Sequence, residues 1–151
     1  MEIIEFLRQP NQEHWLAELR RCDWYAGAFL LDLLADKTAW DKELGPSTRL
    51  FLLVDGDTLI AFGTLSEQDA IRDTALTPWL GFIYTYPAFR GRRHSETIVN
   101  HIVAAAAAAG HHVIYLSTHH IGFYEKYGFA FVENRVDEWS DEPVRMYAKR
   151  F

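Results

Sequence analysis

The sequence predicts an α/β (α+β) fold: a mixed central sheet of six to seven strands flanked by about four helices. Three observations carry that expectation. Residues 50–62 read as a hairpin, residues 79–116 read as a strand–helix–strand unit, and two helical stretches precede both. The composition, 49% hydrophobic, 15% aromatic and 24% charged in 151 residues, is that of an ordinary folded domain. No repeat, low-complexity linker or run of five like charges divides the chain, so residues 1–151 read as one domain.

Residues 1–8 can form a short edge strand. Over 13–20, Trp15, Leu16 and Leu19 recur at helical spacing with acids near the start, which predicts a first helix. Residues 24–44 repeat the pattern with Leu30, Leu31, Leu33 and Leu34 and end at Gly45-Pro46, which predicts a second. The period then changes. Residues 50–54 and 58–62 flank Asp55-Gly56-Asp57, the chemistry of a tight hairpin turn. The apolar and aromatic run 79–85 reads as a buried central strand closed by Pro87. Residues 92–109 turn helical, with Ile98, Ile102 and Val103 on one face and Gly110 as the stop, and 113–116 form the next strand. A crossover helix between two strands makes them parallel and the connection right-handed. A short helix over 120–127, stopped by Gly128, precedes strands at 129–132 and 144–151.

Composition also excludes functions. Fifteen Lys plus Arg against twenty-one Asp plus Glu give a net charge of −6, so the chain lacks the basic footprint of a nucleic-acid binder. The longest apolar run, 102–109, is far short of the roughly 20 residues of a membrane span. The first residues carry no basic segment followed by a long apolar one, and Cys22 is alone; both point to a cytoplasmic, reducing setting. The adjacent pairs His111-His112 and His119-His120 lack supporting Cys or carboxylate spacing, so no metal is expected.

The chemistry concentrates at 86–96, which joins a strand end to a helix start with three arginines and no acid before Glu96. Unpaired first-turn N–H groups and the helix dipole both favour an anion such as phosphate there. The residues Pro87, Phe89 and Arg90-Gly91-Arg92-Arg93-His94-Ser95 resemble the pyrophosphate loop of the GNAT superfamily of acyl-CoA-dependent N-acetyltransferases. That loop reads Arg or Gln, two residues, Gly, one residue, Gly or Ala. A second stretch, Phe123-Tyr124-Glu125-Lys126-Tyr127-Gly128-Phe129, is similar to the family's Phe-Tyr-x-Lys-x-Gly-Phe signature. Two motifs in order around a strand–helix–strand unit make the resemblance specific over about 50–132.

The resemblance implies a GNAT-like three-layer fold with acetyl-CoA as acyl donor. Cofactor contacts are expected from Ile83, Tyr84 and Thr85, from Arg90, Gly91, Arg92, Arg93, His94 and Ser95, and from Ser117, Phe123 and Tyr124. Three positions depart from the family. Arg93 stands where the loop has its first Gly, which requires helical φ and a side chain swung aside or folded onto a phosphate; Ser95 replaces Gly or Ala; Ser117 stands where an Asn is common.

The implied reaction is direct attack of a primary amine on the thioester. The backbone around 82–85 would serve the oxyanion and Tyr124 would act as the acid, its phenol having a reference pKa of about 10. Base candidates are His119, His120, Glu67 and Asp69, with His120 slightly favoured because histidine titrates near neutrality. Trp15, Trp24, Tyr25 and Trp40, with Asp23, lie on the helices that shape the family's acceptor site. The alternative reading is a non-catalytic acyl-CoA-binding sensor or partner module. Strand 144–151 offers an edge for a homodimer, or one guarded by Lys149 and Arg150.

Overall fold

The computed structural model describes residues 1–73 and 75–151. The chain runs β1 (Glu2–Glu5), a 3-10 turn at Phe6–Arg8, α1 (Gln12–Leu19), α2 (Tyr25–Leu34), α3 (Lys37–Glu43), β2 (Arg49–Asp55) and β3 (Thr58–Ser66). It continues with β4 (Trp79–Thr85), α4 (His94–Ala108), β5 (Val113–Thr118), β6 (Ala130–Asp137) and β7 (Glu142–Arg150). One seven-stranded sheet has the order β1-β2-β3-β4-β5-β7-β6. Among the described residues only the β4–β5 pair is parallel. No helix among the described residues is long and apolar enough to cross a membrane.

Period-two patterning builds three layers. On β2, Leu50, Leu52 and Val54 pack with α1, α2 and α3, while Phe51 and Leu53 pack with α4 on the opposite face. Both faces of the sheet are therefore covered, which is why its inner strands are apolar without a gap. The Asp-Gly hairpin forms as the sequence predicts, with β3 running on to Ser66.

Local chemistry moves several boundaries. The helix expected over 24–44 is two helices, because Asp36 leaves helical geometry and its carboxylate accepts the Ala39 N–H at 3.2 Å as the cap of α3. The helix expected over 92–109 begins at His94, since Arg93 sits at φ 64°. The helix expected over 120–127 shrinks to a 3-10 turn at Tyr124–Tyr127, bounded by left-handed Gly122 and Gly128. The first strand stops at Glu5, and β6 and β7 form a longer hairpin than 129–132 and 144–151 imply. The terminal strand is also not an edge: β7 lies between β5 and β6, and Lys149 donates to the Tyr127 carbonyl at 2.7 Å.

Two irregularities position the site. The β4–β5 ladder consists of one aligned pair, Trp79 with Tyr115, after which the strands part. On its other side β4 bulges: Thr64 pairs with Gly81 and Phe62 with Tyr84, so Phe82 and Ile83 both face Gly63. Phe82 takes φ 51° to do this. Gly63 leaves room for the side chains packed over it, since a Cβ there would lie 2.5 Å from Ile83 Cδ1 and 2.9 Å from Ile102 Cδ1.

Candidate active site

The loop leaving β4 is an anion-binding structure. Pro87–Phe89 make a 3-10 turn, Gly91 adopts φ 82° and Arg93 adopts φ 64°, after which fifteen-residue α4 starts. No side chain caps that helix, so the N–H groups and dipole of its first turn face outward beyond the end of β4. Arg90 is aimed from behind: its Nε donates to the Thr85 carbonyl at 2.9 Å and its guanidinium lies 5.4 Å from the Tyr84 ring. Arg93 departs from the helical φ that the sequence reading requires. Its side chain swings aside to Glu96, 2.8 Å away. Ser95 binds Thr85 hydroxyl to hydroxyl at 3.0 Å, tying helix to strand.

A cavity of about 560 Å³ fills the gap where β4 and β5 part. Leu80 to Ile83 line one wall and Leu116 to His120 with Tyr124 the other; Trp24, Tyr25 and Phe29 of α2 and Asp137 and Trp139 of the β6–β7 turn close one end. Asp69, 5% exposed, lies at this cavity. Its Oδ1 accepts the Ala70 N–H at 2.7 Å, and its Oδ2 is buried with no partner among the described residues. Burial pushes its pKa from 3.8 up to about 7; the Ala70 N–H opposes the rise, the charge of Asp137 adds to it, and the Arg72 charge and the nearby Ser117 hydroxyl oppose it more weakly. Gly81 makes room for this carboxylate: a Cβ there would lie 2.6 Å from Asp69 Oδ2 and 3.1 Å from Thr64 Oγ1, itself buried and unpartnered among the described residues.

Tyr124 is buried against Phe123, Tyr127 and Phe129, with ring centroids 4.9 to 6.3 Å apart. Burial holds its phenol far above the ordinary tyrosine range, hence protonated. His119 and His120 are exposed on the cavity wall. His120 is anchored through its main chain, which donates to Thr118 Oγ1 at 3.0 Å, and its ring lies 5.7 Å from Phe123.

Of the residues singled out in the sequence, Ile83, Ser117, His119, His120, Tyr124, Asp69, Trp24 and Tyr25 meet in this cavity. Others lie elsewhere. Glu67 is exposed and accepts the Ser47 N–H at 2.9 Å. Trp15 and Trp40 are core, at 4% and 6% exposure. Tyr84 stacks on Trp24 and donates to Asp23 at 3.1 Å, which with burial pushes its pKa up to about 12. Phe29, Asp137 and Trp139 line the cavity without having been singled out, and Phe82, expected only through its backbone, also lines it. The only local signal for the last two is a lone tryptophan inside the acidic run Asp137-Glu138-Trp139-Ser140-Asp141.

The sequence profile of the Acetyltransferase (GNAT) family matches residues 4–129. Among solved structures, an aminoglycoside 6'-N-acetyltransferase complexed with coenzyme A superposes with a TM-score of 0.71 at 20% identity, covering 99% of this chain and 97% of that one. The aminoglycoside 6'-N-acetyltransferase from Enterococcus faecium gives 0.70 at 20% identity with the same coverage. An acetyltransferase from Streptococcus agalactiae gives 0.70 at 21%, covering 99% of this chain and 98% of that one. At such identities the likeness shows the fold. Among curated proteins, none matches the sequence. A parted β4–β5 pair beside an uncapped helix start and a family match over most of the chain converge on one assignment: the chain belongs to the acetyltransferase (GNAT) family of acyl-CoA N-acyltransferases.

Proposed function

We propose that this chain moves the acetyl group of acetyl-CoA to a primary amine, with Asp69 accepting the amine proton and Tyr124 protonating the leaving sulfur. The observation that carries the reading is the Asp69 carboxyl, which belongs to the lining of the cavity between β4 and β5 and has one buried oxygen with no partner among the described residues. An alkyl ammonium has a reference pKa of about 10.4 and attacks only as the free amine, so it needs an acceptor for its proton. A carboxyl with a pKa of about 7 is largely ionised just above neutrality and matched to that task. His120 lacks an orienting hydrogen bond on its ring among the described residues, so Asp69 is preferred to it.

The residues present fit the donor. First-turn N–H groups of α4 with Arg90 and Arg92 suit a pyrophosphate, and the open β4–β5 edge suits an extended amide-bearing arm. Bound acetyl-CoA supplies the activated thioester. The β4 bulge at Phe82 and Ile83 lies beyond the single β4–β5 pair, so the backbone N–H groups of this stretch are the ones that would serve a carbonyl oxygen that gains charge. Tyr124 keeps a proton at its phenol oxygen for a departing sulfur.

The test is calorimetric titration with acetyl-CoA followed by thiol release over a panel of amines. Micromolar binding, about −8 kcal/mol, with amine-dependent release supports the reading. Binding without turnover over a broad panel supports an acyl-CoA-binding module instead, and no binding overturns both.

A further inference from the structure

We infer that the acceptor is a small monoamine with a flat apolar body, an arylalkylamine in chemical class, its ring against Phe29, Phe82 and Trp139 and its nitrogen at Asp69. The inference rests on the acetyl-transfer reading above and deepens it. Three rings from three separate elements form one wall: Phe29 of α2 lies 6.4 Å from Phe82 of β4 and 5.0 Å from Trp139, and Phe82 lies 5.8 Å from Trp139. Such centroid spacings are those of tilted and edge-on aromatic contacts, and another ring can join them on the same terms.

Trp139 is held so that its polar atom is spent away from the cavity. Its indole N–H donates to Glu43 Oε2 at 2.9 Å, Glu43 is ion-paired with Arg72, and the Arg72 guanidinium lies 5.9 Å from the same indole. Asp137 Oδ1 accepts the N–H groups of Trp139 and Ser140 at 2.9 and 3.1 Å, which fixes the turn. The described cavity lining contains no Lys or Arg, and of its two carboxylates Asp137 gives one oxygen to that turn while Asp69 lies on the side of β4. Asp69, on the β4 side of the cavity, is the carboxyl this inference assigns to the ammonium. A polyhydroxylated polyamine would bury many donors and acceptors against this wall unpaired, each at a cost in affinity. A single ammonium beside rings is favoured electrostatically until Asp69 takes its proton.

The step balances as follows. The amine nitrogen bonds to the acetyl carbon as the carbon–sulfur bond breaks. The ammonium first gives one proton to the Asp69 carboxylate, which passes it to solvent; after the bond forms, the sulfur leaves with the bonding pair and takes a proton from Tyr124, the second nitrogen proton restores the Tyr124 hydroxyl, and the products are an N-acetyl amine, free CoA thiol and one released proton.

The experiment compares thiol release by 2-phenylethylamine, tryptamine, n-butylamine and kanamycin on the wild-type protein, and repeats it on Trp139→Ala and Phe29→Leu after thermal melts establish folding. We expect kcat/KM for the aryl amines to exceed that for n-butylamine about tenfold or more. Trp139→Ala should raise KM for 2-phenylethylamine about tenfold, raise that for n-butylamine by less, and leave calorimetric acetyl-CoA affinity unchanged; Phe29→Leu should act in the same direction. Equal use of n-butylamine, or preference for kanamycin, overturns the inference while leaving acetyl transfer standing. Acetyl-CoA binding with no release from any amine overturns both.

Discussion

Asp69→Asn separates the chemical and the energetic consequences of burying one carboxyl. With the group shifted from 3.8 to about 7, the difference of roughly 3 pH units at about 1.4 kcal/mol each is about 4 kcal/mol. A pKa raised by folding contributes stability that is full below the unfolded value and is lost as pH rises through the folded one. Wild type therefore weakens between about pH 4 and pH 8, whereas a neutral amide of the same shape does not titrate. The stability gap in favour of Asp69→Asn should be smallest at pH 4 and widen by up to about 4 kcal/mol at pH 8, on the order of 10 °C in Tm for a chain of this size. Activity should move the other way. The kcat/KM of wild type should fall on an acid limb near pH 7, and Asp69→Asn should lose about a hundredfold or more of it together with that limb. The acceptor's own deprotonation near pH 10 is well separated from this limb. Melts at pH 4, 6 and 8 and pH–rate profiles read both effects. A variant with wild-type kcat/KM and an intact acid limb refutes the assignment of the base, and a Tm gap independent of pH refutes the electrostatic argument.

Tyr124→Phe keeps the buried ring and removes only the hydroxyl. It should lower kcat about tenfold or more while the acetyl-CoA Kd stays within about twofold; unchanged kcat removes Tyr124 from the acid role. Arg93→Gly relieves a left-handed residue at φ 64°, worth roughly 1 kcal/mol, and loses an exposed ion pair with Glu96 worth less. Thermal melting should show a Tm raised by about 2 °C, and a lowered Tm contradicts the strain.

Features written in neighbouring residues were legible in the sequence. The Asp55-Gly56-Asp57 turn, the strand–helix–strand unit and the arginine loop each rest on chemistry within a few positions, and each forms. The break between α2 and α3 was legible in principle too, since Asp36 is an ordinary cap, but leucine periodicity on both sides of it suggested continuity. What escaped depends on distant chain segments. Glu67 and Asp69 look alike in sequence; in the fold one is exposed and the other is buried over Gly81 beside a cavity. Trp139 reaches the site through a hairpin whose outer strand is β6, and its anchor Glu43 is 96 residues away. The insertion of β7 between β5 and β6 is a matter of strand order, which local pattern does not encode.

The single aligned pair at Trp79 and Tyr115 leaves β4 and β5 as two facing strand edges with no further ladder pairing between them among the described residues, inside an otherwise continuous sheet. Water can occupy those positions, yet a ligand carrying its own amides can stand in as the absent strand. Binding would then be a completion of secondary structure, stitching β1–β4 to the β5–β7–β6 half. Amide hydrogen exchange should slow on both edges at once, and at a hundredfold excess over Kd the folded state should gain about 2.7 kcal/mol. The protein's resistance to unfolding would thus rise and fall with the supply of its donor.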